Sequence, residues 1–395
     1  MDRYDIAVIG AGPAGSMAAK YAAKAGASVV ILEEHPSVGW PVECAGLLGL
    51  QAISESELAP GSHMLQGFKG AFVYSPAGTR LDFKAASCRA WAVDRRLFDR
   101  ALALEALREG AELRLCSPVR RIKREGESSL LALSDGRTEI EALLAAKVVV
   151  SAEGVRARLS RQAGIPPVQK ILSGAMVEVP FQVDDPEKVE VHLGEAHGLF
   201  AWVVPFGDDR ARIGLCAEDR GCDHLRAFLR KDLIQRRLLG SPAGIFVGGL
   251  PLGPPEATVA DGFLAVGDAA GQVKPTSGGG IYPGLVSAKI AGGVAAAAAL
   301  EGDCSAERLR EYDKRWRAVL GRELEIGMRV NKLLNRMSAA ELDELVRYLG
   351  RKPDLLKTIE NHGDVDRPSV LMLKMLPRLG LEAIGIARFL KYCLG

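Results

Sequence analysis

The chain has no Cys-x-x-Cys pair, and its seven cysteines are an odd number. That excludes a fully paired disulfide framework and gives no zinc or iron–sulfur spacing, so no metal is expected and a reducing cytosol is the implied compartment. Charge of one sign is also scarce. A formal net charge of +2 over 395 residues gives no reason to expect a nucleic acid partner. No uninterrupted apolar run reaches the length of a membrane span, and the N-terminus enters an apolar strand with no room for a signal peptide. Membrane contact stays open, whereas a crossing is not expected. Internal repeats and low-complexity tracts are missing too, and the length suits two or three packed units.

Glycine is plentiful, with 44 residues, and it clusters in segments that carry chemistry. The run Tyr4 to Gly10 breaks into Gly10-Ala-Gly12-Pro-Ala14-Gly15, then into the helix-forming stretch Ser16 to Gly26, then into the strand-like Ala27 to Leu32 that ends on Glu33. Strand, glycine turn, helix, strand and acidic residue in this order describe a βαβ unit that binds a dinucleotide. Gly10 permits the tight turn, Gly12 lets backbone approach a pyrophosphate at the positive helix end, and Gly15 allows the helix to close on the strand. Glu33 is placed to accept hydrogen bonds from ribose hydroxyls.

Further along, Glu34 to Gly46 reads as irregular backbone across the mouth of a site, and Gly70 to Phe83 as a hairpin around Pro76-Ala-Gly78. The stretch Arg95 to Gly110 reads as an amphipathic helix with Leu97, Phe98, Ala101, Leu104 and Leu107 inward. Short strands are expected at 112–115, 119–123, 130–133 and 138–141, with Asp135-Gly136 as a turn, before a buried parallel strand at Lys147 to Ala152. From Ile171 to Pro254 the pattern shifts to short alternating strands. The first pattern returns at Gly262 to Gly271, an Ala-rich helix runs to about Leu300, and helical period dominates from Ser305 onward.

The fold expected is α/β: a Rossmann-like dinucleotide-binding domain over 1–170 with a substrate-side hairpin near 65–90, an antiparallel β-sheet substrate domain over 171–255, a return to the first domain over 256–300, and a C-terminal helical region over 301–395. Three nucleotide-associated segments, Gly10 to Gly15, Ala152-Glu153-Gly154 with Arg158, and Gly267-Asp268, fit a flavin better than a nicotinamide. Their order resembles the para-hydroxybenzoate hydroxylase class of FAD flavoproteins, in which an aspartate matching Asp268 reaches the ribityl chain. The middle segment departs from that class, with Glu153 and Ala157 where Asp and Ser are usual.

Within the class, Pro41-Val-Glu-Cys44-Ala45-Gly46, Asp94-Arg95-Arg-Leu-Phe98-Asp99 and the long run Gly267 to Ile281 resemble the archaeal geranylgeranyl reductase family. The resemblance implies FAD as cofactor. Ala14 and Glu33 would hold its ADP half, Arg95 and the backbone near Val119 would border it, Cys44, Ala45 and Gly46 would lie over the flavin, and Gly279, Gly280 and Ile281 would face its pyrimidine edge. A family PxxYxWxFP signature is partly present at 197–205: Trp202 and Pro205 match, while His197, Phe200 and Val204 differ. Phe200 and Trp202 are the substrate-binding candidates, with ordinary core packing as the competing reading.

The implied activity is saturation of isoprenoid C=C bonds in geranylgeranyl membrane lipids or their precursors, with Cys44 as the catalytic candidate for proton donor or gate. No second Gly-x-Gly-x-x-Gly has strand and helix context, so electrons would come from an external donor, a ferredoxin-like carrier or loosely bound NAD(P)H. The same fold supports an aromatic-ring monooxygenase, and an electron-transfer flavoprotein partner is the non-catalytic alternative. The segment Val370 to Leu394 mixes an apolar stripe with Lys and Arg, and either lies in a membrane interface or packs on the protein. A cytoplasmic protein with peripheral contact at the inner membrane face is the resulting expectation.

Overall fold

The computed structural model describes the chain except residues 43, 135–141, 208, 365, 367–370, 372, 373 and 375–395. The Asp135-Gly136 turn, the strand expected at 138–141 and nearly all of the segment Val370 to Leu394 therefore lie outside the described residues.

The chain opens with β1 (Asp2–Ile9), α1 (Pro13–Lys24) and β2 (Val29–Leu32). Next come β3 (Leu47–Gly49), α2 (Leu50–Ser56), β4 (Met64–Phe68), β5 (Gly70–Tyr74), β6 (Arg80–Lys84) and β7 (Ala90–Val93). After them run α3 (Arg95–Arg108), β8 (Glu112–Arg114), β9 (Val119–Glu125), β10 (Ser128–Leu133), β11 (Ala142–Ser151) and α4 (Arg158–Gln162). The middle of the chain forms β12 (Lys170–Pro180), β13 (Lys188–His192), β14 (Gly198–Pro205), β15 (Arg210–Ala217), α5 (Gly221–Leu229), α6 (Asp232–Gln235) and β16 (Gly244–Leu252). It ends with β17 (Val259–Ala260), β18 (Phe263–Ala265), α7 (Ile281–Glu301), α8 (Ala306–Trp316), α9 (Arg322–Leu334), α10 (Ala339–Gly350) and α11 (Pro353–His362).

The first sheet runs β17-β18-β11-β1-β2-β8, parallel from β18 to β8. Its central strands are apolar on both faces because helices cover one side and β9, β10 and α4 the other; Ile6, Ala7 and Val8 have no exposed surface. The long β11 serves two neighbours on one edge. Its start pairs antiparallel with β10 and its end parallel with β18.

The second sheet runs β16-β12-β15-β14-β13-β5-β6. It is antiparallel except where the hairpin β5–β6 from the N-terminal third joins β13 in parallel, Lys188 opposite Gly70 through His192 opposite Tyr74. One row of side chains on β15, Ala211, Ile213, Leu215 and Ala217, packs under α5 with Ala201 and Val203 of β14. The alternate row, Arg212, Gly214 and Cys216, faces the other way, toward the first sheet's glycine-rich turns. A small third sheet, β3-β7-β4, stands beside that face.

One expectation needs correction. On α3 the inward residues are Phe98, Asp99, Leu102, Ala103 and Ala106, while Leu97 and Leu104 are exposed. The Ala-rich α1 packs on α3 and admits small side chains, so the alanine-containing row faces inward. The helix α7, interrupted by Lys289, is long and apolar enough to cross a membrane by length and composition, although about two-thirds of the qualifying window is buried within the protein. The cause is its Ala and Gly content, which lets α1 pack closely along it; a Cβ on Gly292 would stand 2.3 Å from the Ala18 carbonyl oxygen.

Candidate functional site

The first glycine turn is fixed by backbone contact. A Cβ on Gly15 would fall 1.9 Å from the Gly10 carbonyl oxygen, and one on Gly10, whose φ is +97°, would fall 2.5 Å from that of Ala152. Gly12 differs: it caps α1 with extended backbone, no side chain caps the helix, and a Cβ there meets nothing within 4 Å. The start of α1 thus has no side-chain cap and open space beside Gly12, as an anionic group requires. Glu33 is buried at the end of β2, where its Oε2 accepts from Ala11 N at 2.8 Å and its Oε1 from His35.

The middle segment serves structure. The Glu153 carboxylate accepts from the N–H groups of Leu159 and Ser160 and from the Ser151 and Ser160 hydroxyls, which caps α4. Arg158 donates to the Val119 carbonyl at 2.9 Å and so ties this segment to β9.

Cys44, Ala45 and Gly46 lie on the loop entering β3, and the Cys44 sulfur accepts from Gly46 N at 3.3 Å. Arg95, the first residue of α3, is locked by a two-pronged pair with Asp99 at 2.7 and 2.9 Å. Its guanidinium lies within hydrogen-bonding reach of Cys44; burial works against its charge, but Asp99 and the Cys44 sulfur outweigh burial and hold it firmly charged. Asp268 follows β18, and no hydrogen bond occupies its carboxylate among the described residues. Burial pushes its carboxyl up to about 6, against a smaller opposing pull from Arg95. Its Oδ1 stands 2.8 Å from the position of a Cβ on Gly280, the residue that precedes α7. Cys44, Arg95, Asp268 and the start of α7 at Gly280 and Ile281 therefore converge on one crevice.

Sheet residues close the other side. Trp202 lies over Gly214, where a Cβ would come within 2.6 Å of its ring. It packs in apolar clusters that include Ala45 and Leu47 on one side and Cys216 and Val273 on the other. Phe200 meets Trp202 edge to face at 6.5 Å, but sits farther out, in a groove of about 430 Å³ with Leu199, Leu334, Met337 and Leu342. His197 is exposed at the rim of the same groove. Burial pushes the Cys216 thiol up to about 12, with Cys44 adding to the effect, which keeps Cys216 a neutral thiol.

Sequence reasoning missed Arg212. It is buried, and its Nη1 donates to the carbonyls of Ala45 at 2.9 Å and Val93 at 3.0 Å, pinning the Cys44 loop to β7. The available signal was parity: Arg212, Gly214 and Cys216 alternate with an unbroken apolar row. Also missed were Asn331 on α9 and Asn335, the residue that caps its C-terminal end, which hold the backbone of Gly198, Asn331 also reaching the Pro275 carbonyl. The crevice fits a dinucleotide with a redox-active ring: an uncapped helix start and a buried carboxylate at one end, an unoccupied carboxylate and a second helix start at the other. Among the described residues no cluster of His, Cys, Asp or Glu could hold a metal ion.

A family model described as "Lycopene cyclase protein" matches residues 5–222. The digeranylgeranylglycerophospholipid reductase of Methanocaldococcus jannaschii is 34% identical over 366 residues, 89% of this chain and 92% of that protein. One from Methanopyrus kandleri is 33% identical over 90% of this chain and 93% of its own length. Among solved structures, a geranylgeranyl bacteriochlorophyll reductase-like protein from Thermoplasma acidophilum superposes with a TM-score of 0.85 at 24% identity, over 99% of this chain and 100% of that one. A p-nitrophenol 4-monooxygenase from Pseudomonas putida gives 0.72 at 18% identity, over 91% and 97%. These two likenesses show a shared fold. Identity above 30% across nine-tenths of the sequence shows more: the chain belongs to the digeranylgeranylglycerophospholipid reductase family.

Proposed function

We propose that this protein is an FAD-dependent reductase that saturates C=C bonds in the geranylgeranyl chains of membrane lipids or their precursors. One observation carries the reading: Cys44, Arg95 and Asp268 meet at the start of α7 beneath an apolar sheet face. In this reading Gly10, Gly12, Ala14, Gly15 and the start of α1 hold the pyrophosphate, Glu33 the adenosine ribose, and Asp268 the ribityl hydroxyls. Arg95, the backbone around Val119, and Gly279, Gly280 and Ile281 border the rest. FAD, when bound and reduced, supplies the hydride.

The chain's own part is to position and to protonate. An isolated alkene has no carbonyl to polarise, so the rate must come from holding it in a dry apolar pocket. Trp202 and Phe200 provide that wall, and the groove beside Phe200 would take the remainder of a prenyl chain. Cys44 Sγ gives its proton to the carbon opposite the one that takes hydride. The thiolate left behind faces the fixed Arg95 guanidinium, which stabilises it until solvent restores the proton. Electrons reach the site from an external carrier or NAD(P)H. A prenyl lipid cannot leave its bilayer, so the protein works at the cytoplasmic membrane face.

Anaerobic incubation of the holoprotein with a geranylgeranylated glycerophospholipid and dithionite tests the reading by mass spectrometry. Gains in steps of two hydrogens, dependent on FAD, are expected. Bound, reducible flavin without any gain overturns the substrate, and substrate-dependent oxygen consumption would then point to hydroxylation. Cys44→Ala should keep its FAD and lose reduction at least a hundredfold, in the range of general acid catalysis. Parental turnover would remove Cys44 from the mechanism.

A further inference from the structure

A buried ion pair beside the glycine loop that enters α7 stands outside the mechanism above. Lys274 lies between Asp268 and Gly280, and its backbone is folded back on itself: Lys274 N donates to Gly279 O at 3.2 Å, and Gly278 N to Lys274 O at 2.9 Å. This places the Lys274 side chain against Gly279, where a Cβ would fall 2.6 Å from Cε and 2.9 Å from Nζ. Nζ pairs at 2.5 Å with Oδ1 of Asp366, which lies beyond α11. Lys274 is 5% exposed and Asp366 1%.

Asp366 is held from outside the pair. Its N–H donates to Asp364 Oδ1 at 2.7 Å, and Asp364 Oδ2 accepts from Gln51 of α2 at 2.6 Å. The other Asp366 oxygen, Oδ2, is buried with no hydrogen-bond partner among the described residues and points at Gly49, where a Cβ would stand 2.2 Å away. A buried pair with an unsatisfied oxygen is a poor stabiliser, since desolvation offsets most of the attraction. The arrangement has a direction instead. Its positive end lies against the glycine loop that enters α7, and its negative end reaches on to Gly49 at the end of β3.

We propose that Lys274 and Asp366 set the reduction potential of the group bound at this loop, Lys274 favouring the reduced state and Asp366 limiting that bias. The inference rests on the FAD reading. Two-electron reduction adds electron density to the bound ring, and a fixed cation in a low-dielectric interior stabilises that density. Neither residue donates a proton or touches substrate; both act through the field.

Potentiometric titration of the purified holoprotein, followed by flavin absorbance, measures this directly. Asp366→Asn should shift the reduction equilibrium toward reduced FAD about tenfold, about 30 mV for a two-electron couple. Lys274→Gln should shift it the opposite way, toward oxidised FAD, because the loop then loses its fixed positive charge. A purely structural pair would change thermal stability and leave the potential alone. Parental potential in either FAD-loaded variant overturns the inference, and Lys274→Gln serves if Asp366→Asn does not accumulate. A parent protein that binds no FAD would instead defeat the flavoprotein reading itself.

Discussion

The two glycine turns of the crevice reach similar ends by different means. At residues 10–15 two of the three glycines are required by backbone, since Gly10 and Gly15 each press on a carbonyl oxygen. At residues 267–280 the neighbours of Gly279 and Gly280 are charged side chains, Lys274 and Asp268. The first turn is therefore a matter of shape and the second of electrostatics. A dinucleotide with a chemically inert end and a reactive end needs both: position where nothing reacts, and field where charge changes.

The sharpest way to break this contrast is Gly15→Ala. With 1.9 Å available to the Gly10 oxygen, backbone must move, and thermal unfolding should show a loss of about 3 kcal/mol together with FAD binding. An unchanged melting temperature would mean the turn is not set by contact.

Asp268→Asn probes the second turn through pH. Burial holds the folded Asp268 carboxyl at about 6, above the ordinary aspartate value of 3.8, so the folded chain retains a proton that the unfolded chain releases between those values. Ionised Asp268 thus costs stability that is absent at low pH and fully expressed above about pH 6. In FAD-free protein the Asn variant should gain on the parent between pH 4 and pH 7, by roughly 2–3 kcal/mol in urea unfolding. It should also bind FAD more weakly. A pH-independent difference would show that burial is not what shifts the group.

Arg212→Met, next in size, leaves the Ala45 and Val93 carbonyls without their donor and should cost about 1–2 kcal/mol. Hydrogen exchange should rise first in residues 44–49. The smallest effect on stability is expected for Gly12→Ala. Its φ of −66° and open surroundings accommodate a methyl group, so unfolding should change by less than about 0.5 kcal/mol. FAD affinity, by isothermal titration, should nonetheless fall at least tenfold. Equal losses in both measurements would erase the distinction between glycines that touch protein and the glycine with open space beside it.

What could be read in the sequence follows the same division. The βαβ unit, the Gly267 to Ile281 run and the β5–β6 hairpin are local, with glycines, apolar runs and turn residues lying a few positions apart. The inward row of α3 was misread because Leu and Ala interleave there, and only the Ala-rich surface of α1 decides which row fits. Arg212 gave a weak parity signal in its own strand, but its acceptors, Ala45 and Val93, are contributed by distant segments. Lys274 and Asp366 are 92 positions apart, and nothing local to either residue marks the other. Local geometry writes itself into neighbouring residues, whereas long-range charge pairing does not.

The parallel junction between β5 and β13 bears on how this protein could be rebuilt. A cassette of residues 170–252, moved into a related scaffold to change substrate choice, would arrive with the edge of β13 bare, because its neighbour is supplied by a hairpin made more than a hundred residues earlier. During synthesis that hairpin must wait for its partner strand. Successful chimeras of this family should therefore carry two separate insertions, with β5–β6 and β12–β16 exchanged together.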